Sequence, residues 1–262
     1  MKKYLKLWGT FFKYSLINAV EYKLNFFLGG LFEFFWVIAN FIFFKVIYEN
    51  ATDIAGWVEN EVLLLVFVCG LIDSIHSFLC ATGYISIPGK INSGELDFLI
   101  LKPINNRFYM AFQYVNIGQI FNIIFNFIMT TYFLFMVYPN LGAGKVVLFY
   151  LLVLNGLLIV NTFYFMLSML AFWVIQVSAI IGFSQELFTI GNKPINIYPK
   201  VLQKIFTFIV PFAVAFSYPV LFLKNELSVS GVMMSFVISI IFFLVSCFVY
   251  KKGIKRYSSA SS

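Results

Sequence analysis

Five long apolar runs dominate the chain: Phe26 to Ile47, Glu61 to Thr82, Gln113 to Val137, Val147 to Phe172 and Val229 to Tyr250. About 20 helical residues cross a hydrocarbon core roughly 30 Å thick, so each run predicts a membrane-spanning helix. Residues 1–25 follow another rule. At about 100° per residue, Lys2, Lys3, Lys6, Lys13 and Glu21 fall in one sector, and Tyr4, Leu5, Trp8, Phe11, Phe12, Leu16 and Ala19 in the opposite one. That segregation predicts a helix lying in the interface, its lysines toward anionic headgroups and its aromatics toward acyl chains. The competing reading is a frayed basic tail. A cleavable signal does not fit, because lysines recur through the first 23 residues and no uninterrupted apolar core precedes a small-residue cleavage site.

The longest polar interval, Ile87 to Asn105, is punctuated by Pro88, Gly89, Gly94 and Pro103. Gly94 and Lys102-Pro103 predict breaks, since glycine favours a helix end and the residue before proline is biased out of the α region. Between them, Glu95 to Leu101 predicts a short amphipathic element. The interval reads either as a solvated connector or as a docking element through which a partner moves the flanking helices.

Composition sharpens the class. With 61% hydrophobic residues, 11% charged, 35 phenylalanines and a mean hydropathy of +0.92, the chain has too little polar surface to cover a soluble globule. The formal charge of +7 does not point to nucleic acid, because the basic residues lie in short runs at segment ends. Cys69, Cys80 and Cys247 are odd in number, widely spaced and set in apolar runs, so they fit neither a disulfide framework nor a metal site.

The same charges set a predicted topology. Residues 1–25, 83–112 and 251–262 hold twelve of the 18 Lys and Arg, which places both termini and the central stretch in the cytoplasm. Residues 48–60 carry Glu49, Asp53 and Glu59 and no base. Both termini inside requires an even number of crossings, so a sixth lies between Trp173 and Asn225. In one placement residues 175–203 are cytoplasmic and a proline-bent helix from Lys204 to Leu223 crosses. In the other a short crossing runs from Val177 to Asn192, and Pro194 to Lys224 folds back into the outer leaflet. Charge favours the first. Pro194, Pro199, Pro211 and Pro219 favour the second, because prolines at 211 and 219 free backbone carbonyls that must be satisfied within protein or by water.

Polar residues inside the spans are the remaining candidates. Asp73 and His76 share one face of the second span, and they read as a polar contact between helices or as a proton relay. Glu33 in the first span is treated the same way. Gln119, Asn122 and Asn126 fall on one face of the third span, which also carries Asn116, and Asn155 and Asn161 lie in the fourth; such amides either join helices or line a wet path. The aromatic load, including Trp8, Trp36, Trp57 and Trp173, reads mostly as lipid-facing bulk and interface anchoring. With a single histidine, the two or more His ligands of a metalloprotease are missing. No phosphate-binding Gly-x-x-x-x-Gly-Lys-Ser/Thr occurs, so the chain cannot by itself cradle ATP.

The run Gly94-Glu95-Leu96-Asp97-Phe98-Leu99-Ile100-Leu101-Lys102-Pro103, followed by Pro194-Ile195-Asn196-Ile197-Tyr198-Pro199, by Ile209-Val210-Pro211-Phe212-Ala213 and by Tyr218-Pro219, resembles permease subunits of the ABC-2 exporter family in order and spacing over nearly the whole chain. The resemblance implies an all-α integral membrane fold: an amphipathic N-terminal helix, six spans, a cytoplasmic coupling element between spans two and three, and an outer re-entrant segment between spans five and six. It favours the second placement of the sixth crossing. It also implies that Gly89, Lys90, Gly94, Glu95, Leu96, Asp97, Phe98, Leu99, Lys102 and Pro103 dock on a separate ABC ATPase that binds ATP and Mg, with Glu95 and Asp97 pairing with its bases and Leu96, Phe98 and Leu99 filling its groove. A second permease subunit, the same or a sister chain, completes the path in the cell membrane. The competing expectation is a secondary transporter or channel that needs no ATPase. A membrane-bound enzyme is the third, and the missing catalytic constellation speaks against it.

Overall fold

The computed structural model describes residues 2–21, 23–174, 178–191 and 193–257. Eleven helices and one short 3-10 turn, Ile195–Ile197, occupy them: α1 (Lys2–Glu21), α2 (Lys23–Tyr48), α3 (Glu59–Ser93), α4 (Leu96–Ile100), α5 (Asn106–Phe112), α6 (Gln119–Val137), α7 (Ala143–Phe172), α8 (Ser178–Gly191), α9 (Lys200–Phe208), α10 (Ala213–Leu223) and α11 (Val229–Arg256). Among the described residues there is no strand, only a bridge between Ile54 and Trp57. Five helices are long and apolar enough to cross a membrane: α2 over Gly30–Tyr48, α3, α6, α7 and α11. α9 and α10 meet the same test only as a pair, bent by 85°.

Local chemistry explains the ends. Glu59 and Glu61 stand in the first turn of α3, and Glu61 Oε2 accepts the Val58 N–H at 3.1 Å, which satisfies an orphan donor where the helix dipole favours negative charge. Asn105 caps α5 by accepting from Phe108 N at 3.2 Å, and Ser228 caps α11 by accepting from Gly231 N at 3.2 Å. Gly94 stops α3 at φ 78°, a left-handed conformation that other residues adopt at a cost.

α3 is the central column. From Val62 to Ile72 it is apolar on every side and buried throughout, packed between α2, α6 and α7, as an all-round hydrophobic helix must be. Gly70 admits the Asn126 side chain of α6, and Gly156 of α7 lies directly against the Ala215 backbone of α10. Small residues at such crossings let helices approach in lipid, where apolar surface alone gives no drive to associate. A second cluster forms where α3 ends, from Cys80, Tyr84, Ile87, Ile91, Leu96, Leu99, Met110, Met169 and Phe172.

Several sequence expectations change here. Residues 83–112 are not a loop: α3 continues as helix through Pro88 to Ser93, five residues of it wound as a π-helical turn at Ser77–Ala81, and α4 and α5 follow. At about 1.5 Å per residue its 35 residues extend roughly 50 Å, beyond any hydrocarbon core. The helix holds because Ile87 and Ile91 bury on the second cluster. The third span begins at Gln119, not Gln113, because residues 113–118 form an irregular link whose Asn116 N–H donates to Phe78 O in the π-helical turn at 3.0 Å. Trp57 is no lipid anchor: it is fully buried under Lys224, whose ammonium lies 5.2 Å from the indole. Phe67, Phe149, Phe212 and Phe216 are likewise buried core. The proposed ends of a fifth crossing, Val177 and Asn192, lie outside the described residues.

The molecule has two ends. One, the platform, gathers α1, α4, α5 and the C-terminal turn of α11. At the far end, Lys224 pairs with Glu61 and Glu226 and donates to Gly56 O at 2.9 Å, and the Tyr138 hydroxyl donates to Glu61 Oε1 at 3.1 Å. Lys193, just past α8, sits 5.1 and 4.9 Å over the Phe43 and Phe44 rings near the far end of α2, and burial pulls its pKa down.

Candidate coupling site

The platform is built around the stop at Gly94. Asp97 N donates to Gly94 O at 3.2 Å, which starts α4 on a new axis and gives its five residues two faces. Leu96 (0% exposed) and Leu99 (6%) turn into the second cluster. Phe98 (72%) and Leu101 (80%) turn out, beside exposed Glu95. Leu96 and Leu99 therefore anchor the tip to its own protein and cannot fill a partner's groove, which corrects the expectation that all three apolar residues dock outward. Burying both leucines gives the outward pair a rigid base.

The basic residues of the stretch are also spoken for. Lys90 Nζ donates to Gln113 Oε1 at 2.7 Å and sits 4.9 Å over the Tyr114 ring. Lys102 Nζ donates to the Tyr109 hydroxyl at 2.9 Å and covers its ring at 4.0 Å. Pro103 O accepts from Lys3 Nζ at 3.0 Å, and Asn105 N donates to the Tyr4 hydroxyl at 3.2 Å. Tyr4 and Phe11 of α1 meet Phe108 and Tyr109 edge-on at 4.9 and 5.2 Å, so α1 is strapped across α5 while its Leu5 and Leu16 stay exposed. Asp97 stands beside the Tyr257 hydroxyl; burial first, and then this carboxylate, raise the tyrosine pKa. Gly89 is exposed on the last turns of α3. Gly83 is the close-contact point: a Cβ there would meet the Met110 and Ala111 carbonyls, so only glycine lets α5 lie against α3.

The intramembrane candidates separate into two groups. Gln119, Asn122 and Asn126 are buried where α6 meets α2 and α3: Asn122 Nδ2 donates to Gly30 O at 3.4 Å and Gln119 Oε1 at 3.2 Å, and Asn126 Nδ2 to Asn122 O at 2.8 Å. Asn155 does the same between α7 and α11, donating to Ser235 O at 3.2 Å. Asp73 and His76 instead line a cavity of about 630 Å³ with Trp36, Tyr84, Tyr164 and Gln185. His76 Nδ1 lies 2.7 Å from Asn161 Oδ1 and stacks on Tyr164 at 4.9 Å. The backbone of Glu33 is in α2, and its side chain lies outside the described residues. Among the described residues, no three His, Cys, Asp or Glu side chains gather as a metal would require.

Sequence reasoning counted Arg107, Glu61 and Lys224 only as charges or span limits. Their contacts join residues 77 to 168 positions apart, and no local spacing carries such a signal. His76 and Asn161 were each visible, but not their pairing.

Comparison with curated proteins and with solved structures returns no match. A family model described as "ABC-2 family transporter protein" matches residues 34–261, which include the whole of α3 to α11. Together with the helical membrane fold, that match over most of the chain shows that the protein belongs to the ABC-2 family of membrane transporter proteins.

Proposed function

We propose that the chain is the permease subunit of an ATP-driven exporter, with the platform in the cytoplasm and ATP and Mg bound by a separate ATPase. One observation carries the reading: α3 runs unbroken from the far end to Ser93 and finishes in an exposed Phe98–Leu101 tip whose other face is locked into the protein's own core. An exposed apolar pair with a charged neighbour on a rigid support suits a partner's groove. Force applied there reaches the far end along one helix. A second permease subunit fits the same reading, since the exposed apolar faces of α2, α6 and α11 leave room for one.

The re-entrant placement of 193–228 belongs to this proposal. Lys193 contacts the far end of α2 and Lys224 contacts Gly56 and Glu61, so both limits of the α9–α10 pair lie at one end. The sharp bend at Pro211 and the burial of Phe212 to Ser217 and of Pro219 and Val220 support a segment that enters and returns. α8, at about 1.5 Å per residue, supplies roughly 21 Å of the short fifth crossing.

Co-expression with the candidate ATPase tests the reading. The Glu95→Lys/Phe98→Ala/Leu101→Ala variant inserts normally and loses ATPase co-purification and export. Removal of the Phe98 anchor alone weakens capture by about 2 kcal/mol. Undiminished capture and export by the triple variant would return the tip to a solvated connector, and transport without any ATPase would favour a secondary transporter.

A further inference from the structure

Arg107 is the cation at the platform whose position no docking role explains. It projects from α5 toward α11, where Nη2 donates to Ser246 Oγ at 2.9 Å and Nη1 meets Cys247 Sγ. Three aromatic rings surround the guanidinium: Phe165 at 4.7 Å, Phe243 at 5.3 Å and Tyr250 at 5.8 Å. Among the described residues no carboxylate pairs with it. A guanidinium has five N–H donors in a planar fork suited to carboxylate or phosphate, and two neutral acceptors leave most of that capacity open. Placing a cation among apolar groups without a counter-ion is costly, so the site favours an arriving anion.

The space beside it has the shape for the rest of such a ligand. A cavity of about 590 Å³ opens next to Arg107, walled by Leu79, Ala111, Leu157, Leu158, Phe165 and Phe243, with Asn161 and Thr162 between Phe165 and the two leucines along α7. Leu158 (60% exposed) and Phe243 (54%) lie at its rim on the outward faces of α7 and α11. Both helices are long and apolar enough to cross a membrane, and exposed apolar positions on such helices suit lipid. The slot is thus reachable sideways from the bilayer, with its one fixed charge at the platform end, at the depth of a headgroup.

We infer that this slot binds an anionic amphiphile, with a phosphate or carboxylate headgroup on Arg107 and an acyl chain along Leu157, Leu158 and Phe243. The inference deepens the transport reading by naming a ligand class, and its test needs neither ATPase nor transport. Binding failure and failure of the exporter reading are therefore seen in separate measurements.

The purified full chain in a neutral detergent is titrated with 1-oleoyl lysophosphatidate, its lysophosphatidylcholine counterpart and inorganic phosphate, and binding is read by native mass spectrometry and calorimetry. Lysophosphatidate binds saturably, lysophosphatidylcholine binds far more weakly, and inorganic phosphate does not displace the lipid. Arg107→Gln weakens lysophosphatidate binding by about tenfold or more, as loss of a charge-assisted fork does. Leu158→Trp, at an exposed rim position that leaves the charge in place, blocks the slot and lowers binding comparably while the elution profile stays that of the parent. Equal affinity for the zwitterionic lipid, or unchanged binding in both variants, overturns the proposal. Displacement by inorganic phosphate at matching potency overturns its acyl half and reduces the site to a simple anion site.

Discussion

Removing Lys224 is the sharpest test of how the far end is held. Its side chain is 7% exposed and that of Glu61 is 12%, so their ion pair is shielded from water. Lys224→Ala leaves Glu61 with the Tyr138 hydroxyl at 3.1 Å and the Val58 N–H at 3.1 Å but without a cation. It also removes the donor to Gly56 O and the ammonium over Trp57. Breaking a buried pair from one side costs about 3–5 kcal/mol, and the two surviving hydrogen bonds to Glu61 place this case at the lower end, about 3 kcal/mol. At about 2–4 °C per kcal/mol for a chain of this size, the unfolding midpoint falls by roughly 6–12 °C. The protein carries its own probe: Cys69 and Cys80 are 1% and 2% exposed, so a fluorogenic maleimide reports their release on heating. The Glu61→Gln/Lys224→Met double variant, which removes both charges, recovers to within about 1 kcal/mol of the parent. A midpoint unchanged in Lys224→Ala, or a double variant as unstable as the single one, would refute a buried, coupled pair.

Leu96→Ala and Phe98→Ala separate support from docking: the first removes core and destabilises the platform by about 2–4 kcal/mol, whereas the second leaves thermal stability unchanged and weakens ATPase capture. Gly83→Ala drives a methyl into the Met110 and Ala111 carbonyls and costs about 1–3 kcal/mol, read as faster proteolysis of residues 94–112 with the spans intact. Burial first, and then the charge of Glu61, raise the Tyr138 pKa above its ordinary 10.0, so its contribution to stability is complete below about pH 10 and is lost as pH rises beyond it. Tyr138→Phe flattens that alkaline decline in the thermal scan; a parent-like alkaline decline in the variant would assign it elsewhere. In intact cells, cysteines at Lys6 and Lys13 stay hidden from an impermeant thiol reagent and one at Lys200 reacts; the opposite pattern would overturn the topology.

What was readable from the chain itself followed from solvent and period. Lipid requires about 20 apolar residues per crossing, so the five long spans stand out by composition before any contact is known. Gly94 and Lys102-Pro103 mark the limits of α4 because backbone preference is local. The permease family was legible in Gly94 to Pro103 and the later proline motifs, which carry their signal in short range order. Three-dimensional packing decided the rest. Pro88 and Gly89 read as loop residues, yet α3 passes through them because Ile87 and Ile91 bury against Met110, Phe172 and their neighbours, and that tertiary gain outweighs local helix penalties. Leu96 and Phe98 are two residues apart and equally apolar, and only the position of the second cluster buries one and leaves the other exposed. Lys193 counted only as a charge and Lys224 only as a segment limit, because neither count can see that one lies on Phe43 and Phe44 and the other on Glu61. Arg107 was one base among eighteen until α5, α7 and α11 enclosed it.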